Sequence, residues 1–157
     1  VTILALDIAT KCGWALSPEL SGVWDLSIKR DESGGMRLVR FRAKLSELYR
    51  SESFGLVVFE SANIYGQGRM NGALIQVELQ GVLKLWCEER GVDCKGYSPS
   101  TIKKHATGRG NAKKPDMIEA ARRRGWSVID DNHADALWLL DYGNFDLGLA
   151  LADGVAH

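Results

Sequence analysis

Val1-Thr2-Ile3-Leu4-Ala5-Leu6-Asp7-Ile8 is the stretch that decides the fold. Its period of two predicts a strand over residues 1–8, with Ile3, Ala5 and Asp7 on one face and Leu4, Leu6 and Ile8 on the other. Apart from Asp7, both faces are apolar, as a central strand requires. Residues 12–16 and 23–28 read as two more strands, turned by Ser17-Pro18 and Ser21-Gly22. Three strands joined by such short turns make an antiparallel meander.

Further along, the pattern changes period. Leu38, Phe41, Leu45 and Leu48 form one stripe and predict a helix over 36–50. The run from Gly55 to Glu60 is short, apolar and β-branched, which suits a central strand. After the loop Tyr65-Gly66-Gln67-Gly68, a long helix is predicted over 70–90 and a fifth strand over 92–97. Shorter helices follow at 99–106, 115–124 and 131–142. Strands separated by helices should run parallel to the first. The expected fold is α/β: a mixed five-stranded sheet, antiparallel meander plus parallel strands, flanked by helices. It occupies one domain over 1–142, with 143–157 as a C-terminal tail.

Composition narrows the class. The chain has 157 residues, 45% hydrophobic and 25% charged, which excludes disordered and fibrous classes and leaves room for one domain. No apolar run reaches the roughly 18 residues that would span a bilayer. The apolar start meets Asp7 at once without a basic leader, so no secretion signal is expected. Cys12, Cys87 and Cys94 lack metal-type spacing and read as core or surface thiols of a reducing compartment, with a cytoplasmic location expected. The net charge of zero hides a pattern: residues 95–125 carry 9 basic and 2 acidic side chains, and residues 126–157 carry 6 acidic and none basic. A basic segment of that kind can bind a polyanion if it forms one surface.

Two acids end otherwise apolar strands, Asp7 and Glu60. A carboxylate there is costly unless it is hydrogen-bonded or binds a cation. Parallel neighbours would put both at the sheet edge where α/β sheets place ligands. Near the C-terminus stands Asp130-Asp131-Asn132-His133-Ala134-Asp135, in which Asp131 and Asp135 share a helix face. A divalent metal is the strongest reason to gather such acids. Mg²⁺, or Mn²⁺ in its place, takes oxygen ligands, and two ions about 3.5–4 Å apart can activate water and stabilise a leaving oxygen.

The chain resembles the RuvC-type Holliday junction resolvases of the ribonuclease H-like superfamily, especially their compact viral branch. The resemblance rests on Leu4-Ala5-Leu6-Asp7-Ile8-Ala9-Thr10 with Gly13-Trp14-Ala15, Val57-Val58-Phe59-Glu60, Pro99-Ser100-Thr101-Ile102-Lys103-Lys104, Thr107-Gly108-Arg109-Gly110-Asn111-Ala112-Lys113-Lys114, and Asp131 to Ala136. It implies a homodimeric, Mg²⁺-dependent endonuclease that nicks two opposing strands of a four-way DNA junction, in a bacterial or virus-infected cell. It implies Asp7, Glu60 and Asp135 as catalytic metal ligands. The family's fourth acid lies three residues before the last aspartate, where this chain has Asn132. Asp131, four before, returns to the face of Asp135 and is the expected fourth ligand. His133, as ligand or general base, and Asn132 are the alternatives. An aromatic residue follows the family's glutamate by three positions; here that position is Asn63, and Tyr65 is the candidate replacement for DNA contact.

Lys103, Lys104, Arg109, Lys113 and Lys114 are expected to neutralise DNA phosphates without reading sequence, and Arg122, Arg123 and Arg124 extend that surface or form a solvated helix end. The 70–90 helix has two apolar flanks, Leu74/Val77/Gly81/Leu85 and Ile75/Leu79/Val82/Trp86, so one can pack on the sheet and the other on a second subunit. Three other readings compete. One is a related nuclease acting on flaps, other branched DNA or RNA-containing substrates. Another is a junction-binding protein without catalysis. The third follows from Asp7-Ile8-Ala9-Thr10 with Gly13, similar to the phosphate loop of actin-like ATPases, but those need two domains around the nucleotide.

Overall fold

The computed structural model describes residues 1–62 and 70–152. Five strands form one sheet in the order β3-β2-β1-β4-β5, from β1 (Ile3–Asp7), β2 (Lys11–Ala15), β3 (Ser21–Asp25), β4 (Leu56–Glu60) and β5 (Asp93–Tyr97). β1 pairs antiparallel with β2 and parallel with β4, and β5 continues parallel beyond β4. The predicted meander and parallel crossovers are both present. The helices are α1 (Gly35–Ser51), α2 (Met70–Arg90), α3 (Pro99–Thr107), α4 (Lys114–Arg123) and α5 (Asp131–Ala152).

The period-two pattern of β1 sorts the core into two layers. Leu4, Leu6, Val57 and Phe59 face α1 and α2, joined by Phe41, Leu45, Leu79, Leu83 and Trp86. Ile3, Ala5, Ala15 and Val58 face the opposite way, against Ala134, Leu137 and Trp138 of α5 and Ile102 and Met117 of α3 and α4. Asp7 continues the Ile3/Ala5 face and Glu60 the Val58 face, so both acids turn toward α5.

Small residues set the height of α5 above the sheet. Gly13 lies opposite Asp7 in the β1–β2 register. A Cβ placed on Gly13 would stand 2.0 Å from the Asn132 carbonyl oxygen and 3.2 Å from the Ala136 Cβ. Only glycine lets the first turn of α5 rest on β2 at this depth.

One boundary differs from expectation. α5 does not end at 142 but runs to Ala152, so residues 143–152, expected as tail, are helix. Gly143 suggests a break in the sequence, yet it is a contact: its Cβ would meet Val58 Cγ2 at 3.3 Å. Asp146, one turn on, accepts hydrogen bonds from Lys95 Nζ at 2.7 Å and Tyr97 Oη at 2.8 Å, which ties this part of the helix to edge strand β5. Among the described residues no helix is long and apolar enough to cross a membrane.

Candidate active site

A cleft of about 660 Å³ opens at the C-terminal ends of β1 and β4. Asp7, Glu60, Asp131, Asn132 and Asp135 line it, together with Lys103, Asn111, Lys113 and Lys114. Each acid arrives by a separate route. Asp7 and Glu60 are the last residues of adjacent parallel strands. Asp131 and Asp135 stand one turn apart at the start of α5, which Asp130 caps by accepting the His133 backbone N–H at 2.8 Å. The macrodipole of α5 puts its positive end under these carboxylates.

The electrostatics are those of crowded acids. Asp7 is buried, and its pKa is raised well above the ordinary value, first by burial and then by Asp135, Glu60 and Asp131. Asp135 is pushed up to about 7 by burial, Glu60 and Asp131, with Lys103 and Lys114 pulling the other way. Glu60 is raised by burial and partly offset by Lys103. Lys114 Nζ lies 3.2 Å from Asp131 Oδ2, and this contact raises the lysine pKa.

The donors are all oxygens, with neither thiol nor imidazole, and that set suits a hard cation such as Mg²⁺ or Mn²⁺. Among the described residues no three His, Cys, Asp or Glu side chains already close around one point. A buried carboxylate raised by its neighbouring acids is nevertheless what such a cation would relieve.

The alternative for the fourth position, His133, is placed elsewhere. Its ring is buried and points to β3, with Nε2 2.8 Å from Ser21 Oγ. Its Nδ1 accepts the Ile129 backbone N–H at 3.0 Å. An accepting Nδ1 puts the proton on Nε2, which then donates to Ser21. Burial lowers the pKa and keeps the ring neutral. His133 therefore anchors α5 to β3 and is not in the cleft. Asn132 does line the cleft, and its backbone carbonyl is the group that rests over Gly13.

The basic segment divides. Lys103, Lys113 and Lys114 border the cleft, while Lys104 is exposed on α3 outside its wall. Asp116 Oδ2 accepts the Lys113 backbone N–H at 3.0 Å, capping α4 and leaving the Lys113 side chain to solvent. Arg109 lies 3.4 Å from Asp116 and borders a second hollow with His105 and Arg124. Arg123 pairs with Glu119. Arg124 donates to Asp141 at 2.9 Å and lies over the rings of Trp126 and Trp138, so it braces α4 against α5. Tyr65 and Asn63 lie outside the described residues.

Two contributors escaped the sequence reading. Gln80 of α2 is buried and donates from Nε2 to the Glu60 carbonyl at 3.3 Å. Asn111 lines the cleft from the loop before α4. The Thr107–Lys114 motif contains Asn111, but spacing alone gave it no role.

Comparison with known proteins places this geometry. No family model matches the chain. It is 29% identical to the crossover junction endodeoxyribonuclease RuvC of Nitratidesulfovibrio vulgaris (strain Hildenborough), an alignment covering 100% of this chain and 90% of that protein. The fold matches Thermus thermophilus RuvC with a TM-score of 0.71 at 20% identity, covering 98% of this chain and 97% of that one. Thermus thermophilus RuvC in complex with a Holliday junction substrate gives 0.72 at 19% identity, covering 98% and 96%. In sequence and in fold the chain resembles RuvC over essentially its whole length, which bears out the resemblance read from the motifs.

Proposed function

We propose that this chain is a RuvC-type endonuclease that resolves four-way DNA junctions by paired nicks. The observation that carries the reading is the convergence of Asp7, Glu60, Asp131 and Asp135 in one cleft with a basic border. The full-length similarity to a crossover junction endodeoxyribonuclease supports the substrate class.

Each group has a role that its placement suits. Asp7, Glu60, Asp131 and Asp135 would hold a pair of Mg²⁺ ions, with Asn132 near them. Bound there, the metal supplies the charge that activates water and stabilises the leaving oxygen of a phosphodiester. Lys103, Lys113 and Lys114 hold the scissile strand through its phosphates, and Lys104 and Arg109 extend the contact. The exposed flank of α2 makes the homodimer. Leu74, Val77 and Leu85 there are 53%, 45% and 61% exposed, while Leu79, Leu83 and Trp86 on the other flank are buried. A C2 dimer supplies two sites for two symmetry-related strands.

The test is cleavage of a labelled four-way junction with Mg²⁺, beside linear duplex, flap and RNA–DNA hybrid. Paired nicks confined to the junction are expected. Asp7→Asn should lose cleavage and keep junction binding, because the phosphate-binding lysines are untouched. Sedimentation at micromolar concentration should give about twice 17.3 kDa. Preference for flap or hybrid would reassign the substrate. An Asp7→Asn protein that cuts at the wild-type rate would overturn the site.

A further inference from the structure

Cys87 and Cys94 are used by nothing described so far. Cys87 lies in the last turns of α2, and Cys94 is the second residue of β5, the edge strand. The side-chain alternation of β5 turns Lys95 and Tyr97 toward Asp146 of α5, and therefore Cys94 and Gly96 toward α2. Across that gap the chain doubles back on itself, with the Val92 N–H donating to the Cys87 carbonyl at 3.0 Å, so that Cys94, two residues further on, comes alongside Cys87. Both line a cleft of about 740 Å³ between α2 and β5, which Lys84 also borders. Their exposures differ: Cys87 is buried and Cys94 exposed.

We propose that Cys87 and Cys94 form a reversible oxidation site, at which a hydroperoxide entering this cleft converts the two thiols into an intramolecular disulfide. Cys94 is the attacking thiol and Cys87 the resolving one. In the first step the Cys94 thiolate attacks the peroxide. A sulfur–oxygen bond forms, the oxygen–oxygen bond breaks, and hydroxide leaves from hydrogen peroxide and takes up the proton the Cys94 thiol released, giving a sulfenic acid and water. In the second, Cys87 sulfur attacks the Cys94 sulfur. The disulfide forms, the sulfur–oxygen bond breaks, and the hydroxyl leaves as water with the Cys87 proton. The thiols lose two electrons and two protons, and the peroxide takes them up.

The surroundings suit this division of labour. The neighbouring Cys87 holds the Cys94 thiol below its ordinary pKa, Lys84 adds to the effect, and Cys87 is raised. Thiolate character and exposure are what make a cysteine reactive. Cys12 has neither: it is buried and raised by burial and Asp7. A disulfide here would pin the end of α2 to β5 beside the cleft wall that Gln80 shares. The proposal does not depend on the nuclease reading.

The experiment uses the reduced full chain with hydrogen peroxide, followed by alkylation and peptide mass spectrometry. A Cys87–Cys94 cross-linked peptide lighter by two hydrogens is expected, reversed by dithiothreitol, with Cys12 still a thiol. Cys94→Ser should leave Cys87 reduced under the same exposure. Cys87→Ser, or Cys87→Ala if serine disturbs the core, should leave Cys94 as a sulfenic acid that dimedone captures. Three outcomes would overturn the proposal: both thiols unmodified in the wild type, a cross-link between two chains instead of within one, or Cys94 oxidised while Cys87 stays free.

Discussion

Replacing Gly13 by alanine tests how the carboxylates are assembled. The added methyl would lie 2.0 Å from the Asn132 carbonyl oxygen and 2.6 Å from its carbon, both backbone atoms, and 3.2 Å from the Ala136 Cβ. Restoring ordinary van der Waals contact with that oxygen requires roughly 1.4 Å of movement. Both sides are held: β2 is paired on both edges, and α5 is anchored by the Ser21–His133 bond at 2.8 Å. Overpacking of this kind costs about 1–3 kcal/mol of stability. Because Asp131 and Asp135 ride on the turn that must move, a displacement of about 1 Å should lower cleavage on the order of 100-fold. Junction affinity should change little, since the lysines lie on α3 and at the start of α4. Chemical denaturation, cleavage and binding are measured on one preparation. Gly148, on the same helix, is the control. It has nothing within 4 Å of its Cβ position, and alanine there should stabilise by about 0.5–1 kcal/mol. If Gly13→Ala keeps wild-type stability and rate, the close approach of α5 to β2 is not what assembles the site.

Other perturbations separate the remaining roles. Burial and its acidic neighbours raise Asp135 to about 7, so the folded protein binds more protons than the unfolded chain between pH 3.8 and about 7. Without divalent cations, stability should therefore fall as pH rises through that window, and Asp135→Asn should melt higher than wild type at pH 7.5 but not at pH near 4; equal melting at both would refute the shift. A Lys113→Ala, Lys114→Ala protein should bind junctions more weakly at all sequences, with a salt slope shallower by about one unit per lost contact. An unchanged slope would remove these lysines from the interface. Asp131→Asn should lose cleavage while folding normally, whereas His133→Ala should lower the melting temperature through the lost Ser21 and Ile129 bonds. Full activity in Asp131→Asn would return the fourth position to Asn132.

The alternation of Ile3, Ala5 and Asp7 was sufficient to say which face of β1 carries the acid, because a strand buried on both sides leaves one register. Parallel pairing with the strand ending in Glu60 followed from the helix between them. What local sequence could not supply were contacts made across the fold. His133 and Asp131 sit two residues apart in one helical turn, and their assignment depends on Ser21, 112 positions earlier in the chain. Gln80 looks like a solvent-facing position until Glu60 is seen to lie against it. Arg124 reads as DNA-binding charge until Asp141, Trp126 and Trp138 surround it. Gly143 has the composition of a helix stop, and only Val58 beneath it explains why the helix continues.

The cleft and the core make opposite demands on the same elements. Like charges gathered at low dielectric oppose folding, and both Asp7 and Asp135 carry that opposition in their raised pKa values. Lys103 and Lys114 offset part of it at Asp135, and Lys114 also feels Asp7, yet Asp7 and Asp135 both stay raised. The rest of the offset has to come from the surfaces that each acid-bearing element buries. Ile3 and Ala5 lead into Asp7, Val58 precedes Glu60, and Ala134, Ala136 and Leu137 flank Asp135, all within one apolar layer. Hydrophobic burial is non-directional, whereas the position of a carboxylate is not. The small residues of that layer convert one into the other. With Gly13 and the alanines fixing how deep α5 lies, the free energy of burying Leu137 and Trp138 also holds Asp131 and Asp135 against Asp7, in an arrangement that the acids alone would abandon.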